Sequence, residues 1–93
     1  MRILVAEDEK DLNRLVSSRL KAEHYSVDSC FDGQEALDYL AGAPYDAVIL
    51  DIMMPVMDGL SVLRQLRQKG SQVPVLLLRT PPPRDTADGL QAG

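Results

Sequence analysis

The chain has 93 residues, a length that fits one domain with a modest core, and no apolar segment approaches the roughly 18–20 residues that cross a bilayer. Its ten Lys and Arg against fourteen Asp and Glu give a net charge of −4, which disfavours nucleic acid or an anionic membrane as a direct partner. The single cysteine, Cys30, cannot form an internal disulfide. Acids from Glu7 onward come too early for a signal peptide, so we predict a cytoplasmic protein.

Apolar runs and helical periodicity alternate along the first third of the chain. The continuous run from Ile3 to Ala6 is typical of a buried parallel strand. Helical spacing then predicts a first helix over residues 10–23, and residues 25–30 alternate enough for a second strand. The apolar face of that helix carries Leu12, Leu15, Val16 and Leu20, and the opposite face carries Arg14, Ser17, Ser18 and Lys21.

The same alternation continues through the middle of the chain. Asp32 and Glu35 have the spacing of a capping box, which predicts the start of a second helix. A third strand over residues 47–50, a third helix that ends at Gly70 and a fourth strand over residues 73–78 follow. Strand and helix in alternation predict an α/β fold: a mostly parallel sheet with right-handed crossovers and helices on both faces.

The pattern changes after residue 78. Three consecutive prolines, residues 81–83, lack the N–H donors of regular helix or strand. Residues 85–93 offer few apolar side chains to bury. We therefore predict an α/β core over residues 1–78 and an irregular, proline-containing tail over residues 79–93.

Acidic side chains follow the first and third strands. Glu7 and Asp8 come after the first strand, and Asp51 stands at the end of the third. The carboxyl ends of these strands emerge side by side in a parallel sheet, so the three carboxylates are expected in one crevice. They repel one another unless a cation is present, and no Lys or Arg lies within ten residues of Asp51.

Magnesium is the cation that this set of ligands favours. Carboxylate oxygens without nearby His or Cys suit Mg²⁺, which also accepts phosphate oxygens. With such an ion present, a carboxylate can attack phosphorus and become an acyl phosphate. Asp51 is the best placed of the three to do so.

These residues and the motif after Asp51 closely resemble the receiver domain of bacterial two-component response regulators. The resemblance covers residues 1 to about 78, and its motif is Asp51-x-x-Met54-Pro55-x-Met57-Asp58-Gly59. It implies a flavodoxin-like fold, a doubly wound parallel sheet, in which Asp51 accepts phosphate from a sensor histidine kinase. It also implies Mg²⁺ on Asp8, Asp51 and the main-chain carbonyl of Met53, with Glu7 assisting through water.

The resemblance further implies signalling rather than an enzyme with its own substrate. In that family, phosphorylation controls dimerisation or an attached output domain, often one that regulates transcription. The family's switch hydroxyl falls at Arg79 in the simplest register, so Thr80, one residue later, is the candidate. No lysine follows Lys69, so no active-site lysine is assigned, and the fifth strand and fifth helix are predicted to be lacking.

Two other functions remain open. A fourth strand left as an exposed apolar edge favours pairing with another chain or exchange of an element, so we expect a homo-oligomer. The alternative is then a receiver fragment that accepts no phosphate and acts as a self-associating or kinase-binding module. A magnesium-dependent phosphotransferase of the haloacid dehalogenase kind ranks last, because it needs a second Asp where this chain has Met53.

Other polar residues near the motif are predicted to be structural. Glu9 and Asp11 lie at a helix start, where acids are favoured by the helix dipole. Asp58 is predicted to cap the third helix, and Pro55 and Gly59 to shape the turn before it.

Overall fold

The computed structural model describes residues 1–78, which form four strands and three helices. In chain order these are β1 (Arg2–Ala6), α1 (Lys10–Ala22), β2 (Ser26–Cys30), α2 (Gly33–Gly42), β3 (Ala47–Asp51), α3 (Gly59–Gln68) and β4 (Val75–Leu78). Every element predicted within this range is present. The predicted tail, 79–93, and the candidate hydroxyl of Thr80 lie outside the described residues.

The last strand begins later than predicted. β4 starts at Val75 instead of residue 73. Pro74 has no N–H to give to a strand ladder, and its carbonyl accepts a hydrogen bond from the N–H of Val48 at 2.9 Å. None of the helices within residues 1–78 is long and apolar enough to cross a membrane.

The strands form one parallel sheet in the order β2-β1-β3-β4, so the predicted doubly wound topology is confirmed for the described residues. The crossover from β1 to β2 runs one way across the sheet, and the next two crossovers run the other way. With right-handed crossovers, α1 therefore lies on one face and α2 and α3 on the other. The crossovers therefore change direction between β1 and β3, and open α/β sheets bind their ligands at such a point.

The main core lies between the sheet and the helices α2 and α3. The apolar residues of β1 and β3 that face these helices are fully buried. The buried core residues are Leu4, Ala6, Cys30, Ala36, Leu37, Val48, Leu50, Met54, Val62 and Leu66.

The α1 face of the sheet is covered unevenly by the described residues. Val5, Ile49 and Leu76 lie side by side across β1, β3 and β4. Val5 is fully buried, Ile49 is half-buried and Leu76 is 59% exposed, because α1 packs on β1 and β2. Leu15 of α1, which helical spacing places on the apolar face, is 60% exposed.

A polar cluster joins the sheet at the ends opposite the carboxylates. The Arg2 guanidinium donates two hydrogen bonds to Asp28, and the Tyr45 hydroxyl donates a third at 2.6 Å. These bonds lower the pKa of Asp28, and burial together with the bond to Asp28 raises the pKa of Tyr45 to about 12. The cluster thus fixes β1, β2 and the segment before β3 relative to one another.

Gly33, the first residue of α2, packs directly against the loop between β3 and α3. A Cβ at this position would collide with the backbone carbonyl of Met57, whose carbon would lie only 2.8 Å away. We therefore expect Gly33→Ala to lower the free energy of unfolding, measured by chemical denaturation, by roughly 2–3 kcal/mol. Gly42→Ala at the other end of α2 is the control, since its added Cβ meets no atom within 4 Å. Equal losses in the two variants would contradict the clash.

Candidate functional site

Three acidic side chains meet at the carboxyl ends of β1 and β3. Glu7 and Asp8 directly follow β1, and Asp51 is the last residue of β3. Their carboxylates each offer an oxygen, and these oxygens lie within 4.8 Å of one another. The structure thus brings together the three side chains that the sequence places at adjacent strand ends, while their chemical roles stay predictions.

The three carboxylates differ in burial and in their hydrogen bonds. Asp8 is exposed, whereas Glu7 and Asp51 have relative exposures of 1% and 0%. Glu7 Oε2 accepts a hydrogen bond from the N–H of Glu9 at 2.8 Å, but Glu7 Oε1 is buried with no hydrogen-bond partner within residues 1–78. Burial, reinforced by the charge of Asp51, raises the pKa of Glu7 to about 7. A cation at this site would offset the repulsion between the carboxylates and would give Glu7 Oε1 a partner.

Main-chain hydrogen bonds hold Asp51 in place. Its Oδ1 accepts a hydrogen bond from the N–H of Met53 at 3.1 Å, and the next residue, Ile52, donates its N–H to the Leu78 carbonyl at 2.8 Å. A Cβ on Gly59 would lie 2.5 Å from the Asp51 carbonyl oxygen. Glycine at position 59 therefore lets α3 begin in contact with the backbone of Asp51.

The acids on either side of this cluster cap helices. Asp58 Oδ1 accepts a hydrogen bond from the N–H of Ser61 at 2.8 Å at the start of α3, and this bond lowers the pKa of Asp58. Glu9 Oε1 accepts one from the N–H of Asp11 at 2.9 Å at the start of α1. Both side chains thus stabilise the helices that follow the two strand ends.

The loop after Asp51 contains a strained turn at Val56. The N–H of Met57 donates to the Pro55 carbonyl at 2.7 Å, and Val56 between them has a φ of 70°. A turn of this kind with a positive φ is strained, and a β-branched residue rarely adopts it. Val56 is also 81% exposed, so its side chain contributes little burial in return.

Replacing Val56 by glycine is therefore expected to stabilise the fold. Glycine adopts a positive φ without strain, and the gain should exceed its entropic cost by about 1 kcal/mol. Urea denaturation of Val56→Gly measures the change, and Val56→Ala, which keeps a Cβ, should gain less. A Val56→Gly variant less stable than the original protein would show that the turn is not strained.

One buried polar network beside the site was missed by sequence reasoning. Asn13 of α1 is 2% exposed, and its Nδ2 donates to the carbonyls of Glu7 at 3.0 Å and Cys30 at 2.9 Å. Ser17, which the sequence analysis places on the solvent face of α1, is buried. Its hydroxyl bonds Asn13 Oδ1 at 3.2 Å and the Ser29 hydroxyl at 2.8 Å. The prediction for Ser17 is wrong because α1 packs this polar side against the strand ends.

Sequence comparisons connect the chain to signalling proteins. Residues 3–93 match the family described as response regulator receiver domain, so the match extends past residue 78. The transcriptional regulatory protein DltR of Streptococcus agalactiae is 42% identical over 94 residues, and the response regulator MprA of Mycobacterium avium is 43% identical over 97. Both matches take in the whole chain, which spans only 42% and 41% of the two relatives.

Solved structures share the fold. The receiver domain of the Francisella response regulator 1452 superimposes with a TM-score of 0.83 at 31% identity, covering 99% of this chain and 77% of that one. The response regulator TrrA of Thermotoga maritima, solved in complex with Mg²⁺ and BeF, gives 0.81 at 37% identity, covering 94% and 75%. These likenesses confirm the flavodoxin-like fold predicted from the sequence.

Proposed function

Since the chain belongs to the family of response regulator receiver domains, we propose that Asp51 is its phosphoacceptor and that a sensor histidine kinase in the cytoplasm supplies the phosphate. One observation carries this proposal. Asp51 is fully buried at the carboxyl end of β3, beside the point where the crossovers change direction, and lies in a cluster with Glu7 and Asp8. That is the place where open α/β sheets bind their ligands.

The residues around Asp51 fit a magnesium ion. The cluster offers carboxylate oxygens alone, and Glu7 Oε1 is a buried oxygen without a hydrogen-bond donor in the described part of the chain. We propose that Asp8, Asp51 and the Met53 carbonyl hold the ion, with Glu7 assisting through water. The complex of TrrA with Mg²⁺ and BeF supports the same cofactor here. When bound, Mg²⁺ neutralises charge on the carboxylates and on the phosphoryl oxygens.

The chemistry requires little from the protein beyond position. A carboxylate oxygen of Asp51 forms a bond to phosphorus while the bond between phosphorus and the donor's imidazole nitrogen breaks, and the nitrogen keeps that electron pair. The product is an acyl phosphate on Asp51, and its hydrolysis by water returns the carboxylate and inorganic phosphate. The domain thus acts as a signalling switch whose only chemistry is its own phosphorylation and dephosphorylation.

The output of such a switch lies with other parts of a response regulator. DltR is described as a transcriptional regulatory protein, and this chain matches only about two fifths of its length. We propose that phosphorylation at Asp51 regulates an output of this kind, often transcription. The net charge of −4 favours a chain that does not itself contact nucleic acid.

The proposal is tested with a small-molecule phosphodonor and Mg²⁺, followed by intact mass measurement. We expect one phosphoryl adduct, which is lost in Asp51→Asn or when the metal is chelated. Asp58→Asn is the matched control, because asparagine also caps helices well and the adduct should persist. If no donor yields an adduct, the chain is an interaction module instead.

A second proposal concerns self-association through β4, the edge strand of the described sheet. Its outer backbone groups have no strand partner among residues 1–78, and Leu76 beside that edge is 59% exposed. Leu76 continues the apolar row that begins at Val5 and Ile49. An exposed apolar edge is a template for pairing, so we propose that two copies associate there.

Analytical ultracentrifugation over a range of concentrations tests this second proposal. We expect a dimer or larger oligomer that Leu76→Lys shifts to monomer, because a charge on an edge strand opposes pairing. Tyr39→Lys on α2 is the control, since Tyr39 is also exposed but lies on the other face of the sheet. A monomer at every concentration would exclude self-association.

A further inference from the structure

We propose that Asn13 is a positioning residue for the metal site: its buried amide fixes the place of Glu7 through the Glu7 main chain. This inference rests on the proposed function, because it treats Glu7 as part of a magnesium site. Asn13 itself lies in α1, one residue after Leu12 of the apolar face, and belongs to no motif recognised in the sequence.

Asn13 joins the ends of two strands. One amide N–H donates to the carbonyl of Glu7, which directly follows β1, and the other donates to the carbonyl of Cys30, the last residue of β2. The Cys30 carbonyl also accepts the N–H of Glu7 at 3.1 Å. The main chain of Glu7 is therefore held at its N–H by Cys30 and at its carbonyl by Asn13.

A hydrogen bond to its oxygen fixes the orientation of the Asn13 amide. The Ser17 hydroxyl donates to Asn13 Oδ1, which leaves the amide nitrogen facing the two carbonyls. Ser17 in turn bonds the hydroxyl of Ser29 in β2. A buried amide whose donors and acceptor are all engaged has little freedom to rotate.

This arrangement determines where the Glu7 carboxylate points. Its Oε2 accepts a hydrogen bond from the N–H of Glu9 two residues on, and this bond depends on the backbone path from Glu7 to Glu9. Asn13 bonds the carbonyl at the start of that path. Without the amide, the segment is free to shift, and the Glu7 carboxylate loses its fixed position in the cluster with Asp8 and Asp51. Groups that orient direct metal ligands typically change metal affinity by about 10–100-fold, and the lower end of that range is expected here because Glu7 acts through water.

The test compares Asn13→Ala with Ser29→Ala. Ser29→Ala removes the hydroxyl at the far end of the network but leaves the bonds of Asn13 to Ser17 and to both carbonyls in place, so it controls for lost stability. Asn13→Ser, which retains a short hydroxyl that does not reach both carbonyls, serves if the alanine variant folds poorly. Two readouts are used: hydrogen exchange of the Glu9 amide in metal-free protein, relative to the Leu50 amide, and Mg²⁺ affinity by calorimetry.

Asn13→Ala is expected to reduce the relative protection of the Glu9 amide and to weaken Mg²⁺ binding by about 10-fold, while Ser29→Ala changes neither by much. The inference is overturned if Asn13→Ala keeps the original Mg²⁺ affinity, or if Ser29→Ala weakens it equally. Absence of Mg²⁺ binding in the original protein would instead overturn the proposed function. The Glu9 exchange comparison would then still decide whether Asn13 positions Glu7.

Discussion

Replacing Glu7 with glutamine is expected to stabilise the metal-free protein by about 2–3 kcal/mol near pH 8 and to change its stability little near pH 4. Glu7 is 1% exposed, and its Oε1 finds no hydrogen-bond donor within the described residues. Glutamine keeps an oxygen to accept the N–H of Glu9 and adds an N–H₂ group that can donate toward the neighbouring carboxylates. The substitution therefore removes an unfavourable charge while it preserves the shape of the site.

The pH dependence follows from the direction of the pKa change. The pKa of Glu7 rises from 4.5 to about 7 in the folded protein, mainly because of burial. The unfolded chain then loses this proton at lower pH than the folded chain, so folding becomes less favourable as pH rises between these two values. At about 1.4 kcal/mol per pKa unit, the loss attributable to Glu7 approaches roughly 3 kcal/mol, and it is absent below the unfolded pKa.

Urea denaturation of both proteins at the two pH values, with a chelator present, measures this difference. Glu9→Gln is a matched control, because Glu9 also accepts a main-chain N–H two residues on but is more exposed. That variant should be slightly less stable, since it loses a negative charge at the start of α1. An equal effect of Glu7→Gln at both pH values would mean that the charge of Glu7 is not what burial opposes.

The sequence predicted the main parts of the site because they follow from local rules. Asp51 and the Glu7-Asp8 pair come directly after apolar runs, and parallel strands end at one edge of a sheet. The start of α2 was equally local, since Asp32 Oδ1 accepts the N–H of Glu35 at 2.8 Å. Patterns of this kind depend on residues a few positions apart, and one sequence is enough to read them.

The network around Asn13 could not be predicted in the same way. Helical periodicity assigns apolar residues to the core, so Ser17 was placed in solvent by default. Its burial depends on Ser29 in β2 and on the packing of α1 against the carboxyl ends of β1 and β2, and these contacts come from the tertiary fold rather than from local sequence. The strain at Val56 has no local signal either, because valine is not a residue that a turn with positive φ favours.

Magnesium is expected to raise the stability of the protein near neutral pH, and Asp8→Asn is expected to remove about half of that gain or more. A ligand that binds only the folded state stabilises it by about 2.7 kcal/mol at a concentration of 100 times its Kd. Loss of a ligating carboxylate should weaken binding by at least roughly 10-fold, which leaves about 1.4 kcal/mol at the same concentration. Asp8 is exposed, so its replacement should cost the metal-free protein little.

Thermal or urea unfolding with and without Mg²⁺ measures this gain, and chelation should reverse it. Asp11→Asn is the control, because Asp11 is a nearby exposed acid outside the cluster of Glu7, Asp8 and Asp51, and its carboxylate pairs with Arg14 at 3.3 Å. It should retain the full gain. If Asp8→Asn also retains it, Asp8 is not a ligand. The comparison with Glu7 separates two roles within one cluster. Removing the buried charge of Glu7 stabilises the metal-free protein, whereas removing the exposed charge of Asp8 mainly weakens Mg²⁺ binding.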